Sequence, residues 1–126
     1  MILIPVSPGE LVDKITILRV KAERIDASKL ANVRRELEAL EAVAREQLPD
    51  SPEMATLTAE LFEVNAALWD VEEGKRDGER RQDFGPAFVE LARRVYREND
   101  RRAAIKRRIN DLLGSEIVEE KSYAAY

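Results

Sequence analysis

Four polar side chains sit where a packing helix should carry aliphatic ones. In the run GPAFVELARRVYRENDRRAAIKRRINDLLG, from Gly85 to Gly114, Asn99, Arg102, Lys106 and Asn110 recur at helical spacing. At about 100° per residue they project into the same sector as Phe88, Leu91, Ala92, Val95, Ala103, Ile109 and Leu113. A helix with only packing to do would place Leu, Ile or Ala there. Asn65 and Glu72 interrupt the apolar stripe of an earlier helix in the same manner. Brought together, these six could line a pocket between helices in which Arg102 and Lys106 hold an anion. The asparagine amides would orient it, and Glu72 would serve as counter-charge or base. The purely structural alternative is that the long side chains reach out to water while the asparagines fix helix register. Spacing alone does not choose between the two.

A second constellation is acidic. Glu60, Glu63, Glu72 and Glu73 lie on one helix, and Glu98 and Asp100 on the next. The chain has no histidine and no cysteine, so any bound metal would be a hard, oxygen-liganded ion such as magnesium. Glu60, Glu63, Glu72 and Asp100 are the candidate ligands. The arrangement resembles the paired ExxE and ExxD helices of the all-helical nucleotide pyrophosphohydrolases, and that resemblance implies a magnesium-dependent hydrolase. Glu60 and Glu63 match ExxE, but Glu98 is followed three residues later by Arg101 rather than Asp. A solvated acidic face competes with this reading. The arginine-rich helices also resemble the small helical chorismate mutases in architecture, without a shared motif. Missing histidine further leaves any acid–base chemistry to carboxylates, Lys, Tyr and hydroxyls.

These residues need helices to position them, and the chain supplies four. Ser7-Pro8-Gly9-Glu10 combines a hydroxyl N-cap, proline in the first turn and a glutamate three residues after the cap, so the first helix starts there. Leu11, Ile15, Leu18, Ala22 and Ile25 form its main stripe, with Ile17 and Val20 on another side, a pattern expected of a central helix or one shared with a second subunit. After Asp26-Ala27-Ser28 an amphipathic helix carries Leu30, Val33, Leu37, Leu40 and Ala44 inward. Ser51-Pro52 opens the third helix, whose stripe is Met54, Leu57, Leu61, Leu68 and Trp69. Lys75 to Gly85, with two glycines and many charges, reads as a loop into which that helix extends by some residues. A hairpin turning near Gln82 sets Asn65 beside Asn99 and Trp69 near Tyr96. Before the first helix, Met1–Val6 is an apolar arm expected to pack on the core or form an edge strand. After the last, Ser115–Tyr126 is a tail expected to dock, pairing with that arm.

Composition sets the outer bounds. At 126 residues the chain suits a single helical domain, 1–126, able to bury roughly two-thirds of its unfolded surface. Charged residues make up 37% and periodic apolar ones 44%, which points to a soluble globular chain rather than a disordered one. The net charge of −4 is unevenly spread: residues 93–108 carry eight Arg or Lys against Glu98 and Asp100, a local +6 that leaves −10 elsewhere. The outward basic face of Arg94, Arg97, Arg101 and Arg108 lacks aromatic platforms, so nucleic acid is disfavoured against pairing with acidic partners. No stretch approaches the 18 apolar residues of a membrane span and the start lacks signal-peptide features, so a cytoplasmic location is expected.

The opening IPVSPGELVDKITIL with KAERI, the central ALWDVEE and the closing VYRENDRRAAIKRRIN with EEKSY resemble a family of small bacterial proteins known only as a domain of unknown function. The resemblance runs nearly end to end. It implies a protein found alone or joined to other domains, with some members in contexts of cell-envelope saccharide synthesis, and it supplies no catalytic residues. Taken together, the expectation is an all-α antiparallel bundle of four main helices with short extended terminal arms, forming a homodimer. Its favoured role is a non-enzymatic protein-interaction or small-anion-binding module without a cofactor. A magnesium-dependent nucleotide pyrophosphohydrolase and an architectural subunit with no small ligand are the alternatives.

Overall fold

The computed structural model describes all residues, 1–126, and contains four helices and no strand. They are α1 (Pro8–Arg24), α2 (Ala27–Gln47), α3 (Pro52–Arg81) and α4 (Pro86–Leu112). Two starts follow from local chemistry. The Ser7 hydroxyl accepts from the Glu10 N–H at 3.2 Å and the Ser51 hydroxyl from the Met54 N–H at 3.1 Å, each satisfying a first-turn donor that the helix leaves open. The Glu10 carboxylate does not complete a capping box; it turns to Lys106 instead.

The hairpin of α3 and α4 is the largest packing unit. Glu60 meets Arg108, Gly74 meets Leu91 and Gly78 meets Phe88, so residue numbers rise along one helix as they fall along the other. The two therefore run in opposite directions. Helix α3 continues to Arg81, well beyond the Lys75 start of the expected loop, and the connection shrinks to Gln82–Gly85. The glycines there are not breakers. A Cβ on Gly78 would stand 2.9 Å from the Phe88 ring and one on Gly74 2.9 Å from Leu91, so their bare backbones let α4 approach closely. The turn itself is made by Gln82 in the left-handed region at φ 54°.

Helix α1 lies against this hairpin and is the central element, in contact with all three others. Its side bearing Val12, Asp13 and Thr16 faces α3 and α4, and Val12 joins Met54, Leu57, Leu61, Val64, Ile105 and Ile109 in the main core. The opposite stripe of Leu11, Ile15 and Leu18 is also buried, which leaves it to α2. Both sides of α1 are thus covered within one chain, so its two-sidedness is no ground for a second subunit. Helix α2 packs on α1 alone, and Val33 is its one buried residue. The core is a three-helix bundle with α2 laid outside it.

The two terminal segments do not pair with each other. Met1–Val6 is neither docked nor a strand: Met1 through Ile4 are 70–112% exposed. The C-terminal tail does dock, but along α4 rather than against the arm.

Because α2 has one neighbour and little buried apolar surface, it should open ahead of the global unfolding transition. Amides of Ala27–Gln47 are expected to exchange with solvent faster than those between Leu57 and Val71. Equal protection of the two segments in native-state hydrogen exchange would show that α2 is an integral part of the core.

Candidate functional site

The polar residues of α4 are organised by a side chain on α1. Asp13 is fully buried, at 0% exposure. Its Oδ2 accepts from Arg102 Nη2 at 2.5 Å and its Oδ1 from Arg102 Nε at 2.8 Å, a two-pronged guanidinium–carboxylate pair. Asn65 of α3 donates to the same Oδ1 at 3.1 Å and to the Thr16 hydroxyl at 2.9 Å, while that hydroxyl donates to the Asp13 carbonyl at 2.9 Å. One carboxylate thereby ties three helices together, and no buried side-chain polar atom is left without a partner.

Lys106 forms the second half of the site. It is 6% exposed, and its ammonium lies 2.8 Å from Glu10, 2.8 Å from Glu119 of the tail and 4.0 Å from Asp13. Burial works against its charge, yet the hydrogen bonds to Glu10 and Glu119 and the field of Asp13 outweigh that and raise its pKa. The bond to Asp13 likewise holds Arg102 above its ordinary value, against desolvation. One turn further on, Asn110 accepts from the Gly9 N–H at 2.7 Å, an otherwise open donor at the start of α1. Gly9 is required here: a Cβ would lie 2.5 Å from the Lys106 carbonyl oxygen.

Five of the six expected pocket residues contribute to this region, in roles that differ from the expectation. Asn65 and Asn99 do not bond to each other. Asn99 donates to the Val95 carbonyl and accepts from Arg102, so the two amides are linked only through Arg102 and Asp13. Arg102 is bonded to Asp13 and is also part of the lining of the cleft between α4 and the tail, while Asn110 accepts from the Gly9 N–H. Glu72 lies elsewhere, paired with Lys75 at 3.3 Å on the same helix. The four carboxylates considered for metal are dispersed as well: Glu60 pairs with Arg108, Glu72 with Lys75 and Asp100 with Lys121, and Glu63 is exposed. No group of three acidic side chains is placed to share an ion. Of the basic face, Arg97, Arg101 and Arg108 pair with Glu90, Glu98 and Glu60.

Three participants, Asp13, Thr16 and Glu119, escape the sequence pattern. Asp13 and Thr16 project about 200° and 140° from Leu11, on the same side as Val20. An acid among apolar residues on one helix, matched by Arg102 and Lys106 on the inward side of another, was the available signal. Glu119 carried none, because nothing local fixes where a tail lies.

Beside Lys106 opens a cleft of about 1220 Å³ between α4 and the tail, lined among others by Tyr96, Asn99, Asp100, Ala103, Tyr123 and Tyr126. The model of a family of unknown function, DUF6165, matches residues 2–126. The chain belongs to DUF6165. No curated protein and no solved structure matches it. Shared membership in DUF6165 therefore supplies no chemistry, and the site must be read from its geometry.

Removing one member of a buried ion pair strands the other, at a cost of about 3–5 kcal/mol, whereas removing both costs far less. Arg102→Ala should thus unfold or severely weaken the bundle rather than act as a clean binding variant. Urea denaturation of Asp13→Asn, Arg102→Gln and the double variant should show strong non-additivity; additive losses would mean the pair is not coupled.

The pH dependence follows from Lys106. A pKa raised in the folded state gives stability that is complete below the unfolded value of about 10.4 and is lost as pH climbs through the folded value. The urea midpoint should be level between about pH 7 and 9 and fall above about 10.5, with a shallower alkaline fall in Lys106→Met. A decline already present below pH 9 would contradict this assignment.

Proposed function

We propose that the protein is a non-enzymatic binding module whose anion seat is the Lys106 ammonium at the base of the cleft between α4 and the C-terminal tail. The observation that carries the reading is the origin of the Lys106 partners. Glu10 and Asp13 are fixed on α1, but Glu119 comes from a segment without regular structure in which every residue from Glu116 onward is exposed. A nearly buried ammonium whose third carboxylate is supplied by a displaceable tail is a place where another anion can enter. Arg102 supports the seat by neutralising Asp13, so that the incoming charge does not meet an uncompensated buried carboxylate. Asn99 and Tyr96 lie in the wall of the same cleft and offer an amide and a ring face.

A role in protein contact has its own observation. Four consecutive apolar side chains, Met1 to Ile4, stand in water, an unusual exposure for a chain that covers both sides of its central helix. The magnesium-dependent hydrolase reading has no comparable support, since its carboxylates are separately paired or exposed.

Glu119→Gln removes the internal competitor while sparing the core. Thermal unfolding of this variant and of the parent, titrated with citrate and with inorganic phosphate in the presence and absence of magnesium, tests the seat. An anion at about 100 times its dissociation constant should stabilise the fold by roughly 2.7 kcal/mol. We expect the shift to appear at lower anion concentration in Glu119→Gln than in the parent. Absence of any anion-dependent shift in both proteins would sink the proposal, and a strict magnesium requirement would move it to the hydrolase class.

A further inference from the structure

The tail does more than place Glu119. It runs along α4 in the opposite direction and touches it at four points: Glu119 on Lys106 at 2.8 Å, Glu120 on Arg107 at 3.9 Å, Lys121 on Asp100 at 2.6 Å, and the Tyr126 ring on the Tyr96 ring at 4.8 Å between centroids. Lys121 and the Tyr126 phenol together hold the Asp100 carboxylate below its ordinary range. A cation, an anion and a ring therefore follow one another along one face of α4, with Asn99 and the small Ala103 between them.

The tail itself is loosely held. No backbone hydrogen bond ties residues 116–126 to the helices, and none of those residues is buried. Its ion pairs are partly solvated, hence individually weak and screened by salt. It departs from α4 through Gly114 at φ 64°, around which a Cβ would meet nothing within 4 Å. A segment joined by an unencumbered glycine and held by side chains alone is physically a ligand on a tether. The tether supplies a high effective concentration, of order mM for a short flexible linker, which sustains docking even when the contacts are weak.

We infer that the α4 face from Tyr96 to Arg107 is a peptide-binding groove, filled in cis by the tail, for an extended partner segment. Such a segment presents a carboxylate, a lysine two residues later and an aromatic residue seven residues after the carboxylate. This rests on the anion seat proposed above, which would receive the first of these groups. The pattern is that of Glu119, Lys121 and Tyr126, and each element has a complement on α4 of opposite charge or matching ring. The cis tail then sets a threshold: a partner must bind more strongly than a tethered competitor, and the open cleft beside the tail gives it room to begin.

The test uses the full-length chain and a fluorescein-labelled synthetic peptide of sequence SEIVEEKSYAAY, followed by anisotropy. In the variant Glu119→Gln/Lys121→Gln/Tyr126→Ala the tail no longer competes, and the peptide should bind about fivefold or more tighter than to the parent. Tyr96→Ala, on an exposed surface that spares the core, should weaken the peptide in that background. A peptide with glutamine in place of the glutamate matching Glu119 should also bind more weakly. A scrambled peptide binding equally well, or no peptide binding to the triple variant, overturns the inference. Citrate protection measured on the same samples separates the two levels. If citrate stabilises the fold but the peptide does not bind, the groove is wrong and the anion seat stands. If neither acts, the seat fails as well. A doubled mass for the parent that reverts to monomer in the triple variant would support the groove, with a second copy as source of the segment.

Discussion

The rest of this structure depends on the burial of one carboxylate. Asp13 sits wholly out of water on the central helix, and an ionised group there is tolerable only if its charge and its lone pairs are met. Arg102 meets the charge through two bonds and Asn65 fills a remaining acceptor site. Because those partners come from α4 and α3, satisfying Asp13 fixes the rotation and relative height of three helices at once. The apolar core of Val12, Leu61, Val64 and Ile109 would tolerate sliding by comparison, since dispersion contacts are not directional. Polar residues on the inward side of α4 are thus the specification of the bundle, and Lys106 is the point where that specification meets solvent and the tail.

Much of the fold was legible because its signals are local. Ser7-Pro8 and Ser51-Pro52 mark helix starts through hydrogen bonds that span three residues, and the apolar periods of α1, α3 and α4 follow from helical geometry. The extent of α3 was not legible, since Gly78 looks like a breaker until Phe88 is seen against it. The inward position of Arg102, Lys106, Asn110 and Asn65 could be read from spacing, but their partners could not. Asp13 lies 52 residues from Asn65 and 89 from Arg102, and no periodicity within one helix reports what crosses to another. Glu72 fails for a related reason. Its projection is near enough to the stripe to look inward, yet Lys75 three residues on gives it a nearer cation.

The same facts separate what holds the molecule together from what it offers to others. Arg102, Asn65 and Asn110 hold the bundle together through their bonds to Asp13, Thr16 and Gly9. At the periphery lie an ammonium partly served by a tail, a face of α4 patterned in charge and ring, and an apolar arm in water.

The distance along the chain between Asp13 and Arg102 also has a consequence for biogenesis. At about 5–20 residues per second, the ribosome delivers the arginine roughly 4–18 s after the aspartate. During that interval α1 has first α2 and then α3 as partners, while Asp13 lacks the guanidinium that meets its charge. The earliest structure is thus an α1–α2 hairpin with its polar side outward. Docking of α4 is the later step, and the long loop it closes makes it slower than the pairing of neighbouring helices.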